Sequence, residues 1–131
     1  MKMIPKNKIP TFVDSSVLIT AIAGQNPARK MRAVTILGDQ RREFIATRFL
    51  QLEVLPVPTL YRRNRELNFY QRFFSRVGHW LDEEPLIQPA LDPACQYGLG
   101  AMDALHLAAA ITLNAEFISA ERPSKPLYKA D

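Results

Sequence analysis

Cysteine is almost missing from this chain. Cys95 stands alone, so no internal disulfide can form, which suits a reducing cytosol. One cysteine and two widely separated histidines, His79 and His106, exclude the usual multi-cysteine zinc sites. Glycine is sparse, at five residues. The stretch GLGA, residues 98–101, lacks the further glycine and the preceding strand of a phosphate-binding loop, so Gly98 and Gly100 read as turn residues. No apolar run reaches the length of a membrane span, although DALHLAAAITL is strongly apolar. The opening MKMIPKNKIP has lysines but no apolar core of signal-peptide length. The expectation is a cytoplasmic protein without a membrane partner.

What is present fits one compact domain over residues 1–131, with residues 1–10 as a tail because Pro5 and Pro10 discourage regular structure. The chain is 47% apolar and 23% charged, as soluble globular proteins are. Seventeen Lys and Arg against 13 Asp and Glu give a formal net charge of +4. That excess permits contact with phosphates without requiring it.

Short apolar strands alternate with helical patterns. Strands are expected at Thr11–Val13, Glu43–Ala46, Leu86–Gln88 and Glu116–Ser119. Helices are expected at Ser15–Ala23, at Pro27–Leu37, and from Thr47 or Arg48 up to a break at Pro56-Val57-Pro58. Leu60–Leu81 is the longest periodic segment, with Leu67, Tyr70, Phe74, Val77 and Leu81 on one stripe. A short helix is expected at Pro93–Tyr97, and an almost wholly apolar one at Met102–Leu113. This alternation points to an α/β fold with a mainly parallel sheet.

Four acids stand out against that frame. Asp14, in FVDSSVLI, sits where the first strand hands over to a helix, and active sites in open α/β sheets form at such carboxyl ends. Its plain reading is a helix cap. Glu53, in FLQLEVLP, shares a helix side with apolar neighbours, and its plain reading is an edge position reaching water. Asp103 is the one acid of GLGAMDALHLAAAITL and lies in the first turn of a buried helix, where the dipole alone would favour it. Glu121 follows the last strand, beside Arg122, and alone reads as a surface charge. Together the four would repel one another without a cation. Ligands that are all oxygen suit Mg²⁺ or Mn²⁺, which can activate a water and stabilise charge on a phosphate.

FVDSSVLITAI, LEVLP, GAMDALHLAAAI and FISAERP resemble, in order and spacing, the four acidic blocks of the PIN-domain family, in particular the small VapC-like toxins of type II toxin–antitoxin pairs. The resemblance runs from about Thr11 to Pro123. It implies a three-layer α/β/α fold with a parallel sheet of four or five strands and a metal-dependent ribonuclease. It also implies a cognate antitoxin as partner, and a homodimer. By resemblance Asp14, Glu53 and Asp103 match the metal-site acids, and Glu121 falls where a fourth acid, usually Asp, is expected. Ser16 and Ser119 match supporting polar positions. Glu121 is one methylene longer than the usual Asp, and its flanks leave the family pattern.

The long periodic segment adds a second feature. Arg62, Arg65, Arg72 and Arg76 fall in one arc opposite the apolar stripe, bordered by Phe69 and Phe73, as an RNA or antitoxin contact would require. A solvated face with packed Arg stems is the plain alternative. His106, three residues after Asp103 on the same helix side, could hydrogen-bond near the site but reads first as a packed structural histidine, and Cys95 reads as a small buried apolar residue. The leading functional expectation is a metal-dependent endoribonuclease toxin. The alternative is a catalytically weak or inactive PIN-like module that binds metal, RNA or a partner. A small Mg²⁺-dependent phosphatase is weaker, since Ser15-Ser16 follow Asp14 where an Asp-x-Asp motif would need an acid.

Overall fold

A computed structural model describes residues 4–120. Four strands are present among them: β1 (Ile9–Val13), β2 (Arg42–Ala46), β3 (His79–Trp80) and β4 (Glu116–Ile118). They form one sheet in the order β3-β2-β1-β4, and every pairing is parallel. Parallel neighbours need crossovers, and seven helices supply them: α1 (Ser15–Ala23), α2 (Pro27–Leu37), α3 (Arg48–Val54), α4 (Pro56–Leu60), α5 (Asn64–Ser75), α6 (Glu84–Tyr97) and α7 (Ala101–Thr112).

Strand periodicity sorts the core into two layers. Val13, Phe44 and Ala46 face a cluster with Val17 and Leu18 of α1, Leu50 of α3 and Tyr70, Phe73 and Phe74 of α5. Phe12 and Ile45 point the other way, against Leu86 of α6 and Ala109 and Ala110 of α7. The result is the three-layer α/β/α fold expected from the sequence. Strand order reverses between β1 and β4, which opens a crevice at their carboxyl ends.

Several local expectations need correction. The N-terminal tail is shorter than residues 1–10, because Ile9 and Pro10 belong to β1. Proline is tolerated in this interior strand for a geometric reason. The Ile9 amide donates to Arg41 on the β2 side, so Pro10 lacks an N–H on the β4 side, where pairing begins only at Thr11. Leu86–Gln88 is not a strand but the first turn of α6. Pro85, Pro89 and Pro93 recur every four residues; Pro85 in the first turn forfeits no helix bond, and the bonds lost at Pro89 and Pro93 fall on one stripe. That stripe faces outward, whereas Leu86 and Ala90 are buried. Solvent can satisfy the released carbonyls, and the helix extends over what was expected to be a short Pro93–Tyr97 segment.

The long segment from Leu60 to Leu81 is likewise not one helix. Arg62 adopts a left-handed φ of 54° between α4 and α5, and the chain leaves α5 before Val77 to form β3. The break expected at Pro56-Val57-Pro58 is present, since α3 ends at Val54, but the prolines then open α4, where a first-turn proline gives up an N–H that has no intrahelical partner anyway. Gly78 admits β3 to the sheet: its amide donates to Phe44, and a Cβ there would collide with the Glu43 carboxylate. Cys95 is exposed rather than buried. No helix among the described residues is long and apolar enough to cross a membrane.

Candidate functional site

The site begins where β1 ends. The Asp14 amide donates to Ile118 of β4 at 3.1 Å, carrying the β1–β4 pairing one residue beyond the strand. The Asp14 side chain is the N-cap of α1, accepting from the Ser16 amide at 3.1 Å and from the Ser16 hydroxyl. The capping role is therefore real, yet the residue is only 2% exposed. A carboxylate buried to that degree needs compensation. Here the two Ser16 donors and the α1 terminus supply it.

Ser16 also ties the two strand ends together. Its hydroxyl accepts from the Ala120 amide at 2.9 Å and lies 3.4 Å from the Ser119 hydroxyl. Because that oxygen receives an N–H from Ala120, its own proton is directed to Asp14. Ser119 follows β4 directly, so both supporting serines stand at the switch point.

Glu53 projects from α3, a helix that touches both α1 and α7. One carboxylate oxygen lies 3.4 Å from the Ser15 hydroxyl, and the other meets His106 Nε2. The Glu53 side chain is 24% exposed and that of His106 only 1%. His106 packs on Phe12 with ring centroids 5.1 Å apart. Its Nδ1 is buried without a hydrogen-bond partner among the described residues. A proton on Nε2 serves the Glu53 contact and leaves only a lone pair on the buried Nδ1, which costs less than an orphaned N–H. Asp103 lies three residues before His106 in the first turn of α7 and is partly buried.

Asp14, Glu53 and Asp103 thus come from three elements that the Ser15–Glu53–His106 contacts join at the carboxyl edge. Among the described residues, no three His, Cys, Asp or Glu side chains gather closely enough to hold a metal ion. Glu121 lies outside the described residues. Thr47 ends β2 at the same edge and is fully buried, its hydroxyl without a partner among the described residues.

The arginine arc divides. Arg65 and Arg72 are exposed on α5 and share a cavity of about 420 Å³ with Ile22 and Phe69. Arg62 has left the helix for the left-handed turn, and Arg76 donates to the Leu37 carbonyl at 3.1 Å. Phe73, expected at the border of the arc, is buried against Phe44 at 5.5 Å. The four arginines do not make one continuous face, because the helix that would have aligned them is only Asn64–Ser75.

Sequence reasoning missed the Glu53–His106 contact. The Asp103–His106 spacing of three puts both on one side of α7 and allows a histidine hydrogen bond near the site, but it does not name Glu53 as the partner. Ser15 was also overlooked as a Glu53 partner.

The sequence pattern of the PIN domain family matches residues 11–122. No curated protein sequence matches the chain. Among solved structures, the chain is similar to VapBC2 from Rickettsia felis, in a crystal structure with a DNA fragment from their promoter. The TM-score is 0.63 at 13% identity, covering 86% of this chain and 88% of that one. At this identity the likeness concerns the fold.

Proposed function

Since the chain belongs to the PIN domain family, we propose that it is a divalent-metal-dependent endoribonuclease and the toxin of a toxin–antitoxin pair. PIN domains are generally nucleases and typically use divalent metals. The observation that carries the reading is Asp14: a buried carboxylate at the switch point, with the helices bearing Glu53 and Asp103 tied to the same edge.

Asp14, Glu53 and Asp103 would hold Mg²⁺ or Mn²⁺, with Glu121 completing the site or positioning water. Hard oxygen donors fit these ions, and Mg²⁺ keeps several waters and is often held by only one or two carboxylates. As oxygen donors the acids suit an open, hydrated ion, and the described ones are not gathered into a closed cage. Such an ion supplies charge neutralisation at the phosphate and a water of lowered pKa. The protein's own part is orientation. Ser16 fixes Asp14, while Ser15 and His106 hold the two oxygens of Glu53. The substrate is single-stranded RNA, cut at a backbone phosphodiester by water. Arg65 and Arg72 guide the strand from α5, with Arg62 and Arg76 at its two ends.

The structural neighbour is a VapBC complex, which supports a cognate antitoxin as partner here. Ile19 of α1 and Met31 and Val34 of α2 are 45%, 66% and 46% exposed, which supports a homodimer through these helices. One observation favours the second reading, a catalytically weak or inactive module: no three described acids gather as a metal site.

The deciding experiment is cleavage of a mixed single-stranded RNA by the purified protein with Mg²⁺ or Mn²⁺. Cleavage is expected with metal and is abolished by EDTA. Silence with both metals, restored by Glu121→Asp, would establish the weak module instead.

His106 acts as a positioning residue in this reading. His106→Ala is expected to lower cleavage by about 10–100-fold, the usual effect of removing a partner that orients a metal-binding side chain. His106→Gln, which keeps a donor near the Nε2 position, should recover part of that loss and shift the metal concentration needed for half-maximal rate back towards wild type. Equal rates and metal dependence in all three proteins would remove His106 from the site.

A further inference from the structure

A cavity of about 200 Å³ opens at the switch point beside Ser119. Its floor is apolar, with Val17 of α1, Ala33 of α2 and Ile118 of β4, and two arginines of α2, Arg29 and Arg32, stand in its wall. They are three residues apart and share one helix side. Arg29 is tethered, since its guanidinium donates to the Ala120 carbonyl. Arg32 is exposed and forms no hydrogen bond or ion pair among the described residues. α2 carries Arg29, Lys30 and Arg32 and no acid, so nothing on that helix offsets the charge.

We propose that this cavity is a subsite for one RNA nucleotide flanking the bond to be cut, with its base on the apolar floor and its phosphate between Arg29 and Arg32. The inference rests on the ribonuclease reading for the identity of its ligand. Three features select a nucleotide. The guanidinium fork matches two phosphate oxygens at once. Single-stranded RNA is commonly bound by a cationic groove that tracks its backbone, and Arg guanidinium planes can stack its bases. The cavity also adjoins Asp14 through its rim, because Ser119 Oγ lies 3.4 Å from Ser16 Oγ, which bonds Asp14. A purely acidic peptide such as polyglutamate would engage the arginines and leave the floor uncovered.

The test is fluorescence anisotropy with a labelled single-stranded RNA hexanucleotide in EDTA, so that binding is read without cleavage. Arg32→Ala is expected to raise Kd about tenfold and to lower the salt slope by about 0.7, the value of one single-strand phosphate contact. Arg32→Lys, which keeps the charge but loses the fork, should recover only part of the affinity. Arg41→Ala, an exposed arginine at the opposite edge of the sheet, should bind as wild type. Unchanged affinity in Arg32→Ala overturns the subsite, as does failure of the wild type to bind RNA. Loss of binding to a polyglutamate probe alone, with RNA binding intact, also overturns it. Cleavage of unmodified RNA with Mg²⁺ is scored separately. Arg32-dependent binding without cleavage keeps the subsite and rejects the nuclease, whereas cleavage with Arg32-independent binding does the reverse.

Discussion

Asp14→Asn is expected to reduce RNA cleavage by more than about 100-fold while leaving the fold intact, since a metal-binding acid should matter at least as much as the outer partners that orient one. The substitution is informative because it separates the two roles of this residue. Asparagine keeps an oxygen that can accept from the Ser16 amide, and Asn caps helices as well as Asp does. What it removes is the charge. In a site only 2% exposed, losing that charge should hold or raise the melting temperature. Catalysis would fall because one of the charges proposed to balance the cation is gone. Asp103→Asn should behave alike. Cleavage rate and melting temperature, measured on the same preparations, check both halves. Full activity in both variants would reject the proposed site, and a collapse of the melting temperature would make Asp14 structural.

The second large effect concerns stability. Phe12→Ala should cost about 3–5 kcal/mol, a large share of the roughly 5–15 kcal/mol that holds a domain together. Phe12 is fully buried in the central strand, stacked on Phe117 at 6.0 Å and packed against His106. Deleting the ring leaves a void under the sheet and unsupports the histidine that contacts Glu53. Urea unfolding measures the loss. Phe12→Leu, which fills most of the volume, should recover the larger part. A loss under about 1 kcal/mol in the alanine variant would mean that the surrounding helices close the void.

The elements that carry the site were legible in the sequence because each has an unambiguous local signal. β1, β2 and β4 are short apolar runs, α1 and α2 end at Gly24 and Gly38, and α7 is apolar with Asp103 in its first turn. Where the reading failed, the deciding interaction was remote. Leu86-Ile87 looks like a strand because a short apolar pair has no period of its own. Only the outward stripe of Pro85, Pro89 and Pro93 against the buried Leu86 and Ala90 makes it a helix. His79-Trp80 has no strand signal at all and becomes β3 by pairing with Ile45 and Ala46. The break at Arg62 depends on a left-handed residue that is not glycine, which the sequence does not advertise. Of the candidate site, the placement of Asp14 and Asp103 at element junctions was readable, but the contact of Glu53 with His106, 53 residues later, was not.

The Ser16–Ala120 bond has a consequence in time. It joins residues 104 apart, and β1 finds one of its two neighbours only when β4 arrives. Pairing over such a separation is slow, since the closure entropy comes before the reward. A chain still leaving the ribosome, with β4 inside the exit tunnel, carries Asp14 and Glu53 but no crevice to hold them. The crevice beside Asp14 is therefore completed only by the last strand, and the chain must extend to residue 120 before the Ser16 hydroxyl meets its Ala120 amide.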